Sequence, residues 1–522
     1  MEKIFIFDTT LRDGAQGEGI TFSVEDKVKI TQRLDALGVD YIEGGWPGSN
    51  PKDMEYFQRM QELPLKHAKL TAFTSTRRSG LKAEEDKNLQ SVLLFDLPAV
   101  AIFGKAWDLH VKDALKVSLA ENLHMISDTI GFFKSHGREV IFDGEHFFDG
   151  YKNNPEYAVK CLQTAADAGA DWVTLCDTNG GTLPEEITEI IQQLKKELNV
   201  PFGIHAHNDG ELAVANTLAA IRAGVRQVHG TINGLGERCG NVNLCSVIPN
   251  LELKYKYQVL PEGKLKSLTD TARYVSEIAN IAMSVNMPYV GQSAFAHKGG
   301  MHVSAVLKNS MTYEHVKPEA VGNDRRVLMS ELAGLSNLRY KAKEFNLDLH
   351  METPKSREIV EKIKELEHEG FQFESAEASL ELLLRKGFGQ FVDYFELESL
   401  KVNSEKRSEL GINTEAVIKL KVNGESVHTA AEGNGPVNAM DAALRKALEH
   451  FYPQLKDMHL SDYKVRVLNE KDGTAAQVRV LIASKDAHGT WDTVGVSENI
   501  IEASWQALLD SMNYYLLKNP SV

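Results

Sequence analysis

Pro201-Phe202-Gly203-Ile204-His205-Ala206-His207-Asn208-Asp209 is a short apolar run that closes in polar side chains, and behind it Leu212 to Ala223 carries apolar residues at helical spacing. Counting outward in both directions, this run-then-helix unit occurs eight times in about the first 250 residues. The runs are Ile4 to Phe7, Val39 to Ile42, Leu70 to Phe73, Ala99 to Phe103, Glu139 to Phe142, Asp171 to Leu175, Phe202 to His205 and Gln227 to Ile232. Between them, Val24 to Leu37, Pro155 to Ala168 and Leu183 to Leu198 have helical periodicity. Mostly apolar strands alternating with helices imply a parallel sheet covered by helices. Eight units in this length predict a closed (β/α)8 barrel, an α/β fold, rather than an open doubly wound sheet. The first run is not followed by the G-x-G-x-x-G that a dinucleotide-binding open sheet would carry.

His205 and His207 are one residue apart on the seventh run. Alternation along a strand puts i and i+2 on the same side, so two imidazoles enter one space, as a divalent metal requires. In a parallel barrel the active site lies at the C-terminal strand ends, and here those ends are polar. They read Asp8-Thr9-Thr10-Leu11-Arg12-Asp13-Gly14-Ala15-Gln16, Glu43-Gly44-Gly45, Asp143-Gly144-Glu145-His146, Asp177-Thr178-Asn179-Gly180-Gly181 and Asn233-Gly234-Leu235-Gly236-Glu237-Arg238-Cys239-Gly240-Asn241. A carboxylate with two neutral imidazoles is a mixed oxygen and nitrogen donor set that leaves room for substrate oxygens, the pattern of a catalytic Lewis acid.

The barrel pattern stops after Val247. Leu265 to Val285 reads as one long helix, followed by the glycine-rich segment Gly291 to His302 and by helical stretches at Ser356 to His368 and Ala376 to Lys386. The C-terminal part contains an internal repeat at an offset of 64: Ala416 to Val422 with Val427-His428-Thr429 resembles Val480 to Asp486 with Trp491-Asp492-Thr493, and Ala439 and Leu444 superpose on Ala503 and Leu508. Each copy reads strands first and a helix afterwards. The expected organisation is a catalytic barrel over 1–264, a helical connector over 265–388, and an α+β module with a pseudo-twofold repeat over 389–522.

The 522 residues are 43% hydrophobic and 25% charged, enough for a large core. A formal net charge of -15 argues against nucleic acid or an anionic membrane surface as a partner. Four cysteines without a C-x-x-C indicate neither a disulfide framework nor a structural zinc cluster, and fit a reducing cytoplasm. The longest apolar stretch, Val92 to Phe103, is broken by Asp96 and Pro98, so no membrane segment is expected.

Three stretches together resemble a known family: Asp8-Thr9-Thr10-Leu11-Arg12-Asp13-Gly14-Ala15-Gln16, His205-Ala206-His207-Asn208-Asp209, and Gly234 to Asn241. They are similar to the metal-dependent barrels of the 2-isopropylmalate, homocitrate and citramalate synthases. Ser293 to His302 is similar to that family's connector, and Glu432-Gly433-Asn434-Gly435-Pro436-Val437 to its C-terminal regulatory domain, so the resemblance covers nearly the whole chain. Phe142 to Tyr151, and Cys239 after Glu237-Arg238, are most similar to the citramalate branch.

The resemblance implies a divalent cation (magnesium, manganese or zinc) held by Asp13, His205, His207 and Asn241. It implies Arg12 at the developing oxyanion, Gln16 and Thr178 at the 2-oxo acid, Glu145 as base, and His302 reaching in from the connector. It further implies acetyl-CoA as co-substrate, pyruvate as the 2-oxo acid, an amino-acid effector such as isoleucine at the C-terminal module, and a homodimer.

Several points stay open in the sequence. A cation close to Glu145 would weaken it as a base, so His302 shares that role and His297 competes for it. Phe73, Phe103 and Asp143 are candidate pocket residues. Cys176 and Cys239 read as packing residues, and Glu237 with Arg238 as a pair that shapes the last loop. The competing functions are a 2-isopropylmalate or homocitrate synthase acting on a different 2-oxo acid, a related lyase, aldolase or carboxyl-transfer barrel, a His-x-His hydrolase, and a non-catalytic metabolite sensor. Intact Arg12, Asp13, His205 and His207 oppose the last.

Overall fold

The computed structural model describes residues 2–347, 354–407, 411–468 and 476–520. Eight parallel strands close into a barrel in sequential order: β1 Phe5–Asp8, β2 Tyr41–Gly45, β3 Lys69–Ser75, β4 Ala99–Lys105, β5 Glu139–Glu145, β6 Trp172–Asp177, β7 Phe202–Ala206 and β8 Gln227–Gly230. Closure is made by β1 on β8, with Phe5 opposite Gln227 and Asp8 opposite Gly230.

Both faces of the strands are buried, and alternation divides the work. Val100 and Ile102 of β4 face the layer of surrounding helices, while Ala99 and Ala101 point inward with Phe7, Tyr41, Phe73, Ile141 and Trp172. Helix boundaries follow local chemistry. In Val24–Leu37, Ser23 and Asp26 form a capping box, and Gly38 ends the helix in the left-handed region.

Two elements differ from the sequence reading. β8 stops at Gly230 instead of Ile232, because the chain turns there into Ile232–Gly234 with Asn233 at φ 62°. The long helix expected over 265–285 is confined to Leu268–Ile278. Asn280 takes φ 54°, and the Ile281 N–H donates to the Ser276 carbonyl at 3.0 Å, a left-handed stop that apolar spacing does not reveal.

The chain forms two compact units, Met1–Phe295 with Val316–Arg325, and Ala296–His315 with Arg326–Val522. The unit that holds the barrel therefore runs past residue 264. In the second unit β9 Ala296–His297 pairs in parallel with β10 Arg326–Val327. Helices Gly300–Lys308, Leu335–Glu344, Pro354–His368 and Glu377–Gly387 belong to the same unit.

The C-terminal repeat is structural. The antiparallel sheet β11 Phe395–Arg407, β12 Gly411–Val422 and β13 Glu425–Gly433 precedes helix Pro436–Leu448; β14 His459–Val467, β15 Val478–Lys485 and β16 Thr490–Ser497 precede helix Ile500–Lys518. Ala416, Ile418, Ala439 and Leu444 share one core with their counterparts Val480, Ile482, Ala503 and Leu508. Even a side-chain hydrogen bond repeats: Thr429 Oγ1 donates to the Ala443 carbonyl at 2.9 Å, and Thr493 Oγ1 to that of Ala507 at 2.8 Å.

Candidate active site

The C-terminal strand ends surround a cavity of about 790 Å³ lined by Arg12, Asp13, Gln16, Glu145, Thr178, His205 and His207, among others. The turn after β1 presents the first of these. The Thr9 carbonyl accepts the N–H groups of Arg12, Asp13 and Gly14, and the Thr10 hydroxyl, held by Asp8, accepts the Ile232 N–H at 2.9 Å. This ties the loop after β1 to the end of β8.

Asp13 Oδ2 lies 3.3 Å from His205 Nε2, and His205 Nε2 lies 3.3 Å from His207 Nε2. All three side chains are buried, and one donor atom of each lies within 4.8 Å of the others. Burial opposes ionisation of Asp13, yet Arg12 and His205 more than offset it and hold the carboxyl well below the usual range. Burial and then His205 push the His207 imidazole down to about 4, leaving a neutral ring with a lone pair to give.

Asn241, 2% exposed, joins this cluster through a backbone bridge to His207. Its Nδ2 donates to the Leu235 carbonyl at 3.3 Å. Gly236 makes room for it, since a Cβ there would fall 2.2 Å from Asn241 Nδ2, on a backbone with φ 151°. Among the described residues, Asp13 Oδ1, Asn241 Oδ1 and His207 Nδ1 are buried without a hydrogen-bond partner. Two orphaned carboxylate and amide acceptors beside an imidazole with an unpartnered ring nitrogen are costly unless something binds there. The donor set of one carboxylate, two imidazoles and an amide oxygen fits a divalent cation.

The cation Arg12 is already engaged. Its Nε donates to Glu43 Oε2 at 2.7 Å, one terminal nitrogen is 3.2 Å from Asp13 Oδ2, and its guanidinium lies 3.9 Å over the Phe73 ring. Glu43 also accepts from the Thr9 hydroxyl. Trp46, Phe73 and Phe103 form an aromatic wall, with Phe73 and Phe103 stacked at 5.1 Å. Asp143 reaches the same cavity from β5. Burial pushes its carboxyl up to about 7, with Glu43 acting in the same direction.

Glu145 ends β5 and forms an ion pair with Lys105 at the end of β4. The Thr178 hydroxyl accepts the His146 N–H at 2.9 Å, leaving its own proton to donate, and His146 sits at φ 56°. Gln16 lies exposed at the rim.

Some sequence expectations change. Arg238 pairs chiefly with Asp209, through contacts at 2.7 and 2.9 Å, and only at 3.6 Å with Glu237, because Asp209 offers both carboxylate oxygens to the guanidinium fork. Cys176 is buried, its thiol pushed well up by that burial, but Cys239 is exposed and does not pack. His302 lies in the first turn of helix Gly300–Lys308 instead of a loop and stacks on Tyr313 at 4.1 Å, both in the second unit. His297 is buried, with Nε2 3.1 Å from Glu314 Oε1.

Glu43, Lys105 and Asp209 are site residues that motif reading left without roles. For Lys105 a signal existed. It ends the fourth strand as Glu145 ends the fifth, and neighbouring parallel strands place them side by side.

Comparison with known proteins gives matches along nearly the whole chain. Residues 3–275 match the HMGL-like family, 289–370 the homocitrate synthase post-HMGL domain-like family, and 374–516 the LeuA allosteric (dimerisation) domain. The chain is 58% identical to an (R)-citramalate synthase of Aquifex aeolicus, covering 99% of this chain and 98% of that one. It is 53% identical to another from Geobacter sulfurreducens, covering 100% and 99%. Against a 2-isopropylmalate synthase of Methanocaldococcus jannaschii it is 33% identical, covering 99% and 95%.

Proposed function

The chain belongs to the (R)-citramalate synthases, within the HMGL-like family, and on that premise we propose that it is an acyltransferase that condenses acetyl-CoA with pyruvate. The acetyl methyl carbon loses a proton and attacks C2 of pyruvate; water then cleaves the thioester, giving (R)-citramalate and CoA.

Asp13, His205, His207 and Asn241 hold a divalent cation (magnesium, manganese or zinc), which when bound supplies Lewis-acid polarisation of the oxo group. Arg12, fixed by Glu43 and Asp13, presents its remaining N–H donors to the oxygen of C2 as charge develops there. The Thr178 hydroxyl and Gln16 bind the pyruvate carboxylate, and the aromatic wall of Trp46, Phe73 and Phe103 excludes water and bounds the methyl side. Glu145 removes the methyl proton. His302 is assigned as a further proton-transfer group.

In this reading residues 1–264 form the catalytic barrel, 265–388 a connector, and 389–522 a regulatory module that dimerises and binds an amino-acid effector. Isoleucine is the favoured effector, since the product leads through 2-oxobutanoate to that amino acid. The cytoplasm is the proposed location; among the described residues no helix is long and apolar enough to cross a membrane.

The observation that carries the reading is the convergence of Asp13, His205 and His207 beside the cavity that also receives Glu145 and Thr178. The test is CoA thiol release from acetyl-CoA with pyruvate, 2-oxobutyrate, 2-oxoisovalerate and 2-oxoglutarate in parallel, with and without chelator. Pyruvate is expected to give the highest kcat/KM, with activity abolished by chelator. Release with 2-oxoisovalerate or 2-oxoglutarate but not pyruvate would contradict it.

A further inference from the structure

We propose that Lys105 is a positioning residue for proton removal: it holds one oxygen of Glu145, fixes where the other points, and so sets the rate at which the acetyl methyl group is deprotonated. The inference rests on the assignment of Glu145 as base made above.

The parallel register of β4 and β5 places Lys105 directly opposite Glu145 at the mouth. Lys105 Nζ contacts Glu145 Oε2, and the two side chains are only 18% and 25% exposed. Among the described residues no other lysine or arginine comes within ion-pair distance of Glu145; Arg12 is committed to Glu43 and Asp13, and Arg238 to Asp209.

Lys105 is itself anchored. Its carbonyl accepts Asn122 Nδ2–H at 2.9 Å and the Cys161 thiol at 3.7 Å, and Asn122, fully buried, also donates to the Tyr157 hydroxyl at 2.9 Å. The Ala106 N–H donates to the Glu145 carbonyl at 3.2 Å. Helices Leu119–Ser135 and Pro155–Asp167 therefore fix the backbone from which the ammonium reaches Glu145.

With Oε2 occupied, Oε1 is the oxygen that takes the proton. The methyl C–H bond breaks, its electron pair passes into the enolate of the thioester, and Glu145 becomes a neutral carboxylic acid that later returns the proton to solvent. A neighbouring cation weakens a carboxylate as a base, so the gain from Lys105 is geometric: without the ammonium the carboxylate is free to rotate, and misplacement costs more rate than the stronger basicity returns, without weakening binding of the oxo acid.

The experiment measures kcat and the KM for pyruvate in the metal-replete, full-length enzyme carrying Lys105→Met, Lys105→Arg, Glu145→Gln, or Lys105→Met with Glu145→Gln. Lys105→Met is expected to lower kcat roughly 100-fold with KM for pyruvate changed less than about twofold. Lys105→Arg should regain at least about a tenth of the parent kcat, because a cation again holds Oε2. A residue that acts only through Glu145 adds nothing once Glu145 is gone, so the double variant should match Glu145→Gln within about twofold.

A Lys105→Met kcat within about threefold of the parent, or a double variant slowed by the product of the two single effects, overturns the inference. Glu145→Gln with near-parental kcat overturns it by removing the base, and a parent that releases no CoA from pyruvate removes the function itself; the two failures are thus distinct. Circular dichroism checks folding. Should Lys105→Met not fold, Lys105→Gln takes the same test with the same outcomes.

Discussion

Two flanks of the barrel mouth use the same kinds of side chain and end in opposite states. On the β1, β7 and β8 side, Asp13 Oδ1, His207 Nδ1 and Asn241 Oδ1 are buried without a partner among the described residues. On the β4, β5 and β6 side Lys105 is matched with Glu145 and the Thr178 hydroxyl with the His146 N–H, and among the described residues Asp143 Oδ1 is left buried there without a hydrogen-bond partner. Unsatisfied polar atoms are tolerated where a ligand completes them, and satisfied ones hold geometry. In the proposed reading the first flank binds the cation and the second positions the base.

The same contrast appears within one turn. Asp8 and Asp13 are 0% and 3% exposed. Asp13, beside Arg12 and His205, is held low; burial pushes Asp8 up to about 7, because its only helpers are the Thr10 N–H and hydroxyl. Burial alone does not decide a carboxyl's state, and the nearest cation does.

The largest effect is expected on the binding flank. His205→Ala should lower kcat at least about a thousandfold, since Lewis-acid polarisation is worth several kcal/mol and each 1.4 kcal/mol is tenfold. Steady-state assay of CoA release measures it, and a loss below tenfold would count against a binding flank. Glu43→Gln comes next. It removes the charge that fixes Arg12, and kcat should fall between about 10- and 100-fold with the bound metal retained, read by assay together with metal analysis.

How much of this contrast the sequence carries depends on the range of the interaction. The eight runs, their polar ends and the His-x-His are local patterns, and the barrel follows from them, whereas Asp13 and Asn241 join the two imidazoles only through the family resemblance. The 64-residue offset likewise aligns Ala439 with Ala503, and both enter one core. Lys105 with Glu145, and Arg238 with Asp209, depend on strand register and loop path, which no single segment encodes. The stop at Asn280 was hidden because apolar spacing continues past a residue that takes a positive φ.

A third outcome concerns pH. A folded Asp8 at about 7, against about 3.9 in the unfolded chain, binds an extra proton between those values, so its neutral form stabilises the fold at low pH. Stability should fall as pH rises from about 4 to about 7, by up to about 1.4 kcal/mol per pH unit from this group, and level off above. Asp8→Asn should reduce that slope in urea melts, leaving the part that Asp143 contributes; an unchanged slope would assign it elsewhere. The smallest effect is expected from Arg238→Ala, which frees Asp209 at an exposed site. It should raise the KM for pyruvate by no more than about fivefold with kcat nearly unchanged.

Titration of metal-free enzyme with Mn2+, followed by electron paramagnetic resonance, tests the binding flank most directly. One tightly bound ion per chain is expected in the parent and in Lys105→Met, and none in His205→Ala or His207→Ala. Undiminished binding in both histidine variants would contradict a cation held by Asp13, His205 and His207.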